Sequence, residues 1–318
     1  MKIAVDVMGG DYAPSEIIAG ALQWTEKNES QILLVGNPEL IHRELKQYSY
    51  KPSQIQIIEA PDVIGMDEAP ATAIRKKKNA SIVVANKLVK ENQADALVSC
   101  GSTGAQLAAA IFILGRVEGV ERPPIVAAIP NTGGKHSLLI DVGANVDCKA
   151  RQLLQFAVLG KVYAAISLGI DNPKIALLNN GEEETKGNSL NIETYKLLQE
   201  QDNLNFIGNI EGRDIFTGIS DVIVCDGFTG NVLLKTIEGM ALFMASVITR
   251  ELGKTPAAFK SWDYRSVGGA PLLGVKGVSI VCHGSSKREA VFNGVGIAEE
   301  CVRNKIVQMQ EIELAKTT

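Results

Sequence analysis

Hydrophobic positions along the chain fall into a recurring pattern. A short run of β-branched and aliphatic residues is followed by a turn rich in glycine and small polar residues, then by a longer segment at helical spacing. Ile3 to Asp6 leads into Met8-Gly9-Gly10-Asp11, Gln31 to Val35 into Gly36-Asn37-Pro38-Glu39, and Ala96 to Cys100 into Gly101-Ser102-Thr103-Gly104. Ser137 to Asp141, Lys174 to Leu178, Asp221 to Cys225 and Val278 to Cys282 open four more such units, the last followed by His283-Gly284-Ser285-Ser286. The runs show little polar alternation, as expected when helices cover both faces of a mostly parallel sheet. Right-handed crossovers then predict a three-layer, doubly wound α/β fold, read as one catalytic domain over residues 1–318. The helical segments Gln106 to Leu114 and Leu153 to Ala165 are apolar on nearly every side, which predicts burial inside the fold or against a second subunit in a homodimer. A composition break at Gly253 to Ser266, rich in Lys, Pro, Phe and Trp, predicts a surface excursion at about 246–267.

Loops at the carboxyl ends of the strands form the ligand crevice of such sheets, and here those loops carry the Gly, Asn, Ser, Thr and Asp. Gly101-Ser102-Thr103-Gly104 and Gly227-Phe228-Thr229-Gly230-Asn231 each place small residues between a strand and a helix, where free N–H groups and the helix dipole can face an anion. Either loop alone also reads as an ordinary turn and cap. Two of them at strand ends point to phosphate. Gly181 to Asn188, "GEEETKGN", reads either as a helix start with Glu182 paired to Lys186, or as a loop that fixes Lys186 as a charge for phosphate or a developing oxyanion. His283, at the end of its strand, is better placed than His42 or His136 to donate or accept a proton. Cys100, Cys225 and Cys282 also end strands. They read as small buried side chains, or as an acyl-carrying thiolate if one were ionised. Arg75-Lys76-Lys77-Lys78 is the densest basic run, either a solvated helix face or a docking face for an acidic protein.

Composition narrows the chemistry. With 36 Asp and Glu against 32 Lys and Arg, the net charge of −4 provides no general field for nucleic acid, so that class of partner is not expected. The five cysteines are scattered singly, and neither they nor the histidines show metal-ligand spacing, so neither metal nor cofactor is expected. Gly-x-x-x-x-Gly-Lys is missing, and the first turn does not make GxGxxG, which leaves nucleotide hydrolysis and nicotinamide binding without their motifs. Asp6 interrupts the apolar run that a signal peptide would need, and stretches such as Ala105 to Leu114 are shorter than the roughly 20 residues of a membrane span. A cytoplasmic location is expected.

Several blocks together resemble one family: Met8-Gly9-Gly10-Asp11, "DVGANVDC" from Asp141, "GEEETKGN" from Gly181, "EGRD" from Glu211, "CDGFTGN" from Cys225, "GGAPLLG" from Gly268 and "HGSS" from His283. They look like the acyl-acyl-carrier-protein:phosphate acyltransferases of bacterial phospholipid synthesis, in consistent order from residue 1 to about 300. The resemblance implies a fold similar to the phosphotransacetylases and isocitrate dehydrogenases. It also implies transfer of a long acyl chain from acyl carrier protein to inorganic phosphate by a homodimer. The acyl phosphate would pass to a membrane acyl-phosphate:glycerol-3-phosphate acyltransferase, with the protein cytoplasmic or peripheral at the membrane. On the loop reading, Ser102, Thr103, Thr229 and Asn231 hold phosphate, with Gly9, Gly10, Gly104 and Gly230 opening their loops. Lys186 and His283 stabilise the oxyanion, Asp6, Asp11, Asp226 and Arg213 organise the loops, and Arg75, Lys76, Lys77 and Lys78 dock the carrier. The family often has Asn where this chain has Ser102, and residues 244–268 look shorter than the family's usual excursion. A short-chain phosphotransacetylase using coenzyme A, and a non-catalytic acyl or phosphate sensor, are the alternatives.

Overall fold

The computed structural model describes residues 1–254 and 268–317. Its strands are β1 (Lys2–Asp6), β2 (Gln31–Gly36), β3 (Ile55–Glu59), β4 (Ala96–Ser99), β5 (Val126–Pro130), β6 (His136–Ile140), β7 (Lys174–Leu178), β8 (Asn205–Ile210), β9 (Val222–Val224), β10 (Gly269–Pro271) and β11 (Val278–Cys282). The longer helices are α1 (Ser15–Lys27), α2 (Pro38–Leu45), α3 (Pro70–Lys76), α4 (Ser81–Lys90), α5 (Thr103–Ala109), α6 (Ala150–Ser167), α7 (Ser189–Gln199), α8 (Gly227–Leu252), α9 (Arg288–Arg303) and α10 (Ile306–Leu314). A π-helical turn, Ala110–Leu114, continues α5. The seven strands read from apolar runs are all present. The four that were not read (β3, β5, β8 and β10) lie at sheet edges, where half-exposed strands lose the continuous apolar run.

The strand and helix alternation predicts one domain, whereas contacts divide the described residues into two compact units, residues 1–116 with 268–305, and 117–254 with 306–317. In the first, the sheet order is β10-β11-β4-β1-β2-β3, parallel throughout except for the edge pair β10/β11. The chain runs outward from β1 to β2 and β3, then returns to place β4 on the other side of β1. A switch point therefore lies between β1 and β4, and their two following loops part to leave a crevice. Ile3, Leu34, Leu97 and Ile280 are wholly buried in this sheet.

In the second unit the order is β5-β6-β9-β7-β8, again parallel apart from the edge pair β5/β6. Helix α6 packs on β6 and β9 and on α10, with Phe156 and Leu159 fully enclosed. Its exposed positions are few because apolar residues surround the helix. Lys161 crosses to α10, pairing with Glu313 at 2.8 Å.

Helix α8 departs from expectation. Residues 246–252 of the expected surface excursion are its last turns, closed by Gly253 in the left-handed conformation; the part of that excursion at 255–267 lies outside the described residues. At 26 residues, α8 is long and apolar enough by length and composition to cross a membrane, which corrects the reading that no segment reaches that length. Phe228, Phe243 and Leu252 are more than 60% exposed on it.

Candidate active site

In the first unit the site is organised by Asp6, the last residue of β1. It is 2% exposed; its Oδ2 accepts the Ser99 hydroxyl at 2.7 Å and its Oδ1 accepts the Met8 N–H at 3.2 Å. Burial raises its pKa, against hydrogen bonds from Ser81, Ser99, Met8 and Gly9 that lower it. Ser99 in turn accepts the Gly101 N–H at 3.1 Å, so one buried carboxylate ties the β1 and β4 loops together. A Cβ on Gly9 would lie 2.7 Å from Gly101 N, closer than any side chain tolerates. These two loops meet backbone to backbone at the switch point.

Beyond that contact, Ser102 caps α5, its Oγ accepting the Ala105 N–H at 3.4 Å. Among the described residues, the N–H groups of Ser102, Thr103 and Gly104 take no hydrogen bond. They are the donors an anion would use. Asp6, Gly9, Ser81, Gly101 and Ser102 line a small cleft beside them. Asp11 sits across the same crevice, its N–H donating to Gly284 O at 2.8 Å, and Gly10 packs under Cys100 and Gly284. His283 is therefore in the same loop cluster. Its Nδ1 accepts the Ser285 N–H at 3.1 Å and lies 2.7 Å from Ser285 Oγ, so the proton of a neutral ring sits on Nε2.

In the second unit Asp141 holds the loop after β6. Wholly buried, its carboxylate accepts the N–H groups of Ile125, Gly143, Ala144 and Asn145 at 2.7–3.2 Å and the Asn145 side chain at 2.9 Å. Burial still raises its pKa. Asp141 was visible only as part of a motif. The accepting role of a strand-end aspartate before Gly-Ala-Asn is the signal that would have found it.

Asp226 caps α8. Its Oδ1 accepts Thr229 N–H at 2.9 Å and its Oδ2 accepts Thr229 Oγ1 at 2.7 Å, while Gly227 N–H donates to Asn145 O and Gly230 N–H to Asp226 O. The two glycine loops thus differ. The donors of Thr229 are consumed internally, and those of Ser102 to Gly104 are open. Gly230 is required by close approach, since a Cβ there would lie 1.9 Å from Asp141 O. Asn231 is exposed, with its side chain over Gly143.

Residues 181–187 form a loop, and α7 starts only at Ser189 with Asn188 as its cap. The expected Glu182–Lys186 pair does not form. Lys186 Nζ lies 4.0 Å from Glu183 and its side chain is half exposed. Glu182 faces Arg213 at 3.7 Å, and Arg213 also pairs with Glu211 at 2.6 Å, so that guanidinium is spent on carboxylates. Glu182, Glu211 and Asp214 bring their oxygens within 4.8 Å of one another around it.

Two of the thiols are held toward their protonated form. The hydrogen bond to Cys282, then burial, raise the Cys100 pKa well above its usual value; burial does the same for Cys225. Arg75, Lys76 and Lys78 are exposed at the end of α3, and Arg75 stacks 5.6 Å over the Phe112 ring. Lys77 turns inward, donating to Glu68 Oε1 at 2.7 Å and Val63 O at 2.8 Å.

The architecture is that of the phosphotransacetylases. The chain superposes on a phosphotransacetylase from Streptococcus pyogenes with a TM-score of 0.66 over 95% of this chain and 94% of that one, at 20% identity. The EutD phosphotransacetylase from Staphylococcus aureus gives 0.64 over the same shares, at 19% identity. Such distant likeness defines the fold. The particular kind of enzyme comes from sequence: the chain belongs to the phosphate acyltransferase family and is an acyltransferase. Residues 1–309 match the family described as fatty acid synthesis protein. The phosphate acyltransferase of Syntrophomonas wolfei is 67% identical over 99% of both chains, and that of Desulfitobacterium hafniense (strain DSM 10664 / DCB-2) 51% identical over 100% of this chain and 99% of its own.

Proposed function

We propose that this protein transfers a long-chain fatty acyl group from acyl carrier protein to inorganic phosphate, reversibly, giving an acyl phosphate for phospholipid synthesis. The observation that carries the reading is full-length identity of 67% to a phosphate acyltransferase, joined to an open set of N–H donors at the β1/β4 switch point. A phosphate oxygen attacks the thioester carbonyl, the tetrahedral oxyanion collapses, the C–S bond breaks and the thiolate leaves. Phosphate is substantially ionised near neutral pH and a thiol of pKa about 8.5 departs readily, so positioning and charge neutralisation outweigh the need for a strong base. Within the first unit, Ser102, Thr103 and the N–H groups through Gly104 hold phosphate, with His283 in the same loop cluster to steady the oxyanion. Within the second unit, Lys186 and the exposed amide of Asn231 are the groups offered to the acyl donor. Asp6 and Asp11 shape the first pair of loops. Asp226, with Thr229 and Gly230, shapes the α8 loop, and Arg213 braces the loop carrying Lys186.

The donor docks through Arg75, Lys76 and Lys78, with Lys77 holding the fold beneath them. The protein works in the cytoplasm or peripherally at the membrane as a homodimer. The exposed apolar residues of α8 support a second subunit. The acyl phosphate then passes to a membrane acyl-phosphate:glycerol-3-phosphate acyltransferase. The test is phosphate-dependent release of free acyl carrier protein from its palmitoyl form, with palmitoyl-coenzyme A in parallel. Turnover with the carrier supports the reading; preference for coenzyme A moves the chain to the transacetylases, and stoichiometric binding without product makes it a sensor.

A further inference from the structure

A cavity of about 380 Å³ opens within the second unit between the loops after β7 and β9. Its polar lining consists mainly of carboxamides, those of Asn179, Asn180, Asn188 and Asn191, over a floor that includes Leu153 and Leu178. Among the described residues no cation lines it, and the one charged group there is the carboxylate of Asp226. A phosphate dianion is repelled there, and a long acyl chain would strip water from amides it cannot satisfy.

The amides are held in fixed orientations by the backbone. Asn191 Nδ2 donates to Leu178 O at 2.9 Å, which leaves Oδ1 as an acceptor. Asn188 Oδ1 accepts the Asn191 N–H at 3.0 Å, which leaves Nδ2 as a donor. Asn179 uses both ends, accepting from Asn180 N–H and donating to Lys186 O. Gly187, at φ +96°, brings the set together, since a Cβ there would lie 2.5 Å from Asn179 Oδ1 and 2.7 Å from Asn191 Cβ. One fixed donor beside one fixed acceptor is the complement of a peptide-like amide.

We propose that this cavity binds the amide-bearing pantetheine arm on which the acyl thioester is presented, an arm common to carrier protein and coenzyme A. The proposal rests on the thioester-donor reading above. Asn188 donates to an arm carbonyl and Asn191 accepts an arm N–H. Asn188 follows Lys186 by two residues and caps α7, whose first turn carries Asn191, so the arm's two partners are set by one helix start.

Asn188→Asp and Asn188→Ser test this, because both keep an oxygen to cap α7 and remove the carboxamide N–H, which the shorter serine hydroxyl does not reach far enough to replace. The enzyme is assayed with palmitoyl pantetheine and with S-palmitoyl-2-mercaptoethanol, which has the same thioester and no amide. The expected result is that wild type prefers the pantetheine thioester in kcat/KM and that the preference falls about tenfold in both variants. Equal losses on the two thioesters, or an unchanged preference, overturn the proposal. Saturation-transfer NMR with pantetheine alone reads the site independently of turnover. A signal in wild type that is lost in both variants supports it, and no signal in wild type overturns it. Failure of the acyltransferase reading looks different, with pantetheine bound and neither thioester consumed.

Discussion

At the scale of single residues, the two aspartates that close strands, Asp6 and Asp141, do more than the groups the loops advertise. Each spends its carboxylate on donors of neighbouring loops, N–H and O–H for Asp6 and N–H alone for Asp141, and so fixes where those loops can present chemistry. Lys186 differs: it is half exposed and held only loosely by Glu183. Lys186→Ala is therefore expected to lower kcat about 100-fold with the melting temperature unchanged, measured by phosphate-dependent thiol release and by calorimetry. Full retained activity would remove Lys186 from the reaction. Much of the candidate site was legible at this scale, because glycine, threonine and asparagine after apolar runs mark strand-end loops wherever they meet in space. What was not legible is which donors are already taken. Thr229 and Thr103 occupy equivalent places in two similar motifs, and the position of the cap distinguishes them: Ser102 stands directly before Thr103, whereas Asp226 stands three residues before Thr229 and accepts its N–H.

At the scale of elements, helices are seated by contacts that sequence spacing does not show. The first turn of α8 rests against the carbonyl of Asp141, so Gly230→Ala should destabilise the second unit by about 1–3 kcal/mol or more, seen as a lower urea midpoint and loss of turnover. In the first unit Arg288 of α9 grips Glu16 of α1 with bonds of 2.6 and 3.1 Å, and that hydrogen bond lowers the Glu16 pKa from 4.5 to about 2. A carboxylate whose folded pKa is depressed stabilises fully above its unfolded value and loses that contribution as pH falls. Glu16→Gln is expected to cost about 1 kcal/mol at pH 7, after allowance for the exposure of Arg288. The difference from wild type should shrink steadily between pH 4.5 and pH 2, followed by urea unfolding at each pH. A constant difference would mean that Glu16 acts by packing alone. The helix expected to start within "GEEETKGN" is instead a loop: Lys186 N–H and Asn209 Nδ2 both go to Glu183 O, an arrangement set by β8, which the sequence reading did not find.

At the scale of the whole molecule, charge is unevenly placed although the net value is small. Arg75, Lys76 and Lys78 stand out at and just beyond the end of α3, whose first residue, Pro70, packs against Gly104 of the open donor loop. A partner held on this helix is thus held beside the crevice. Changing those three residues together to Ala should raise KM for palmitoyl-acyl carrier protein about tenfold, leave KM for phosphate alone, and flatten the salt dependence of KM. Lys77→Ala should instead act on stability through Glu68 and Val63. An unchanged KM in the triple variant would make the basic run a solvated face.

The sequence by itself determined the α/β alternation, the interior strands and the loops that carry chemistry. Those features depend on local apolar runs and on the conformational freedom of small residues. Tertiary structure alone decided the division into two sheeted units, the edge strands, the switch point between β1 and β4 and the allotment of each carboxylate and amide. All of these depend on which segments lie side by side, and hydrogen bonds saturate: a donor already paired across the fold has none left for a ligand, which spacing along the chain does not reveal.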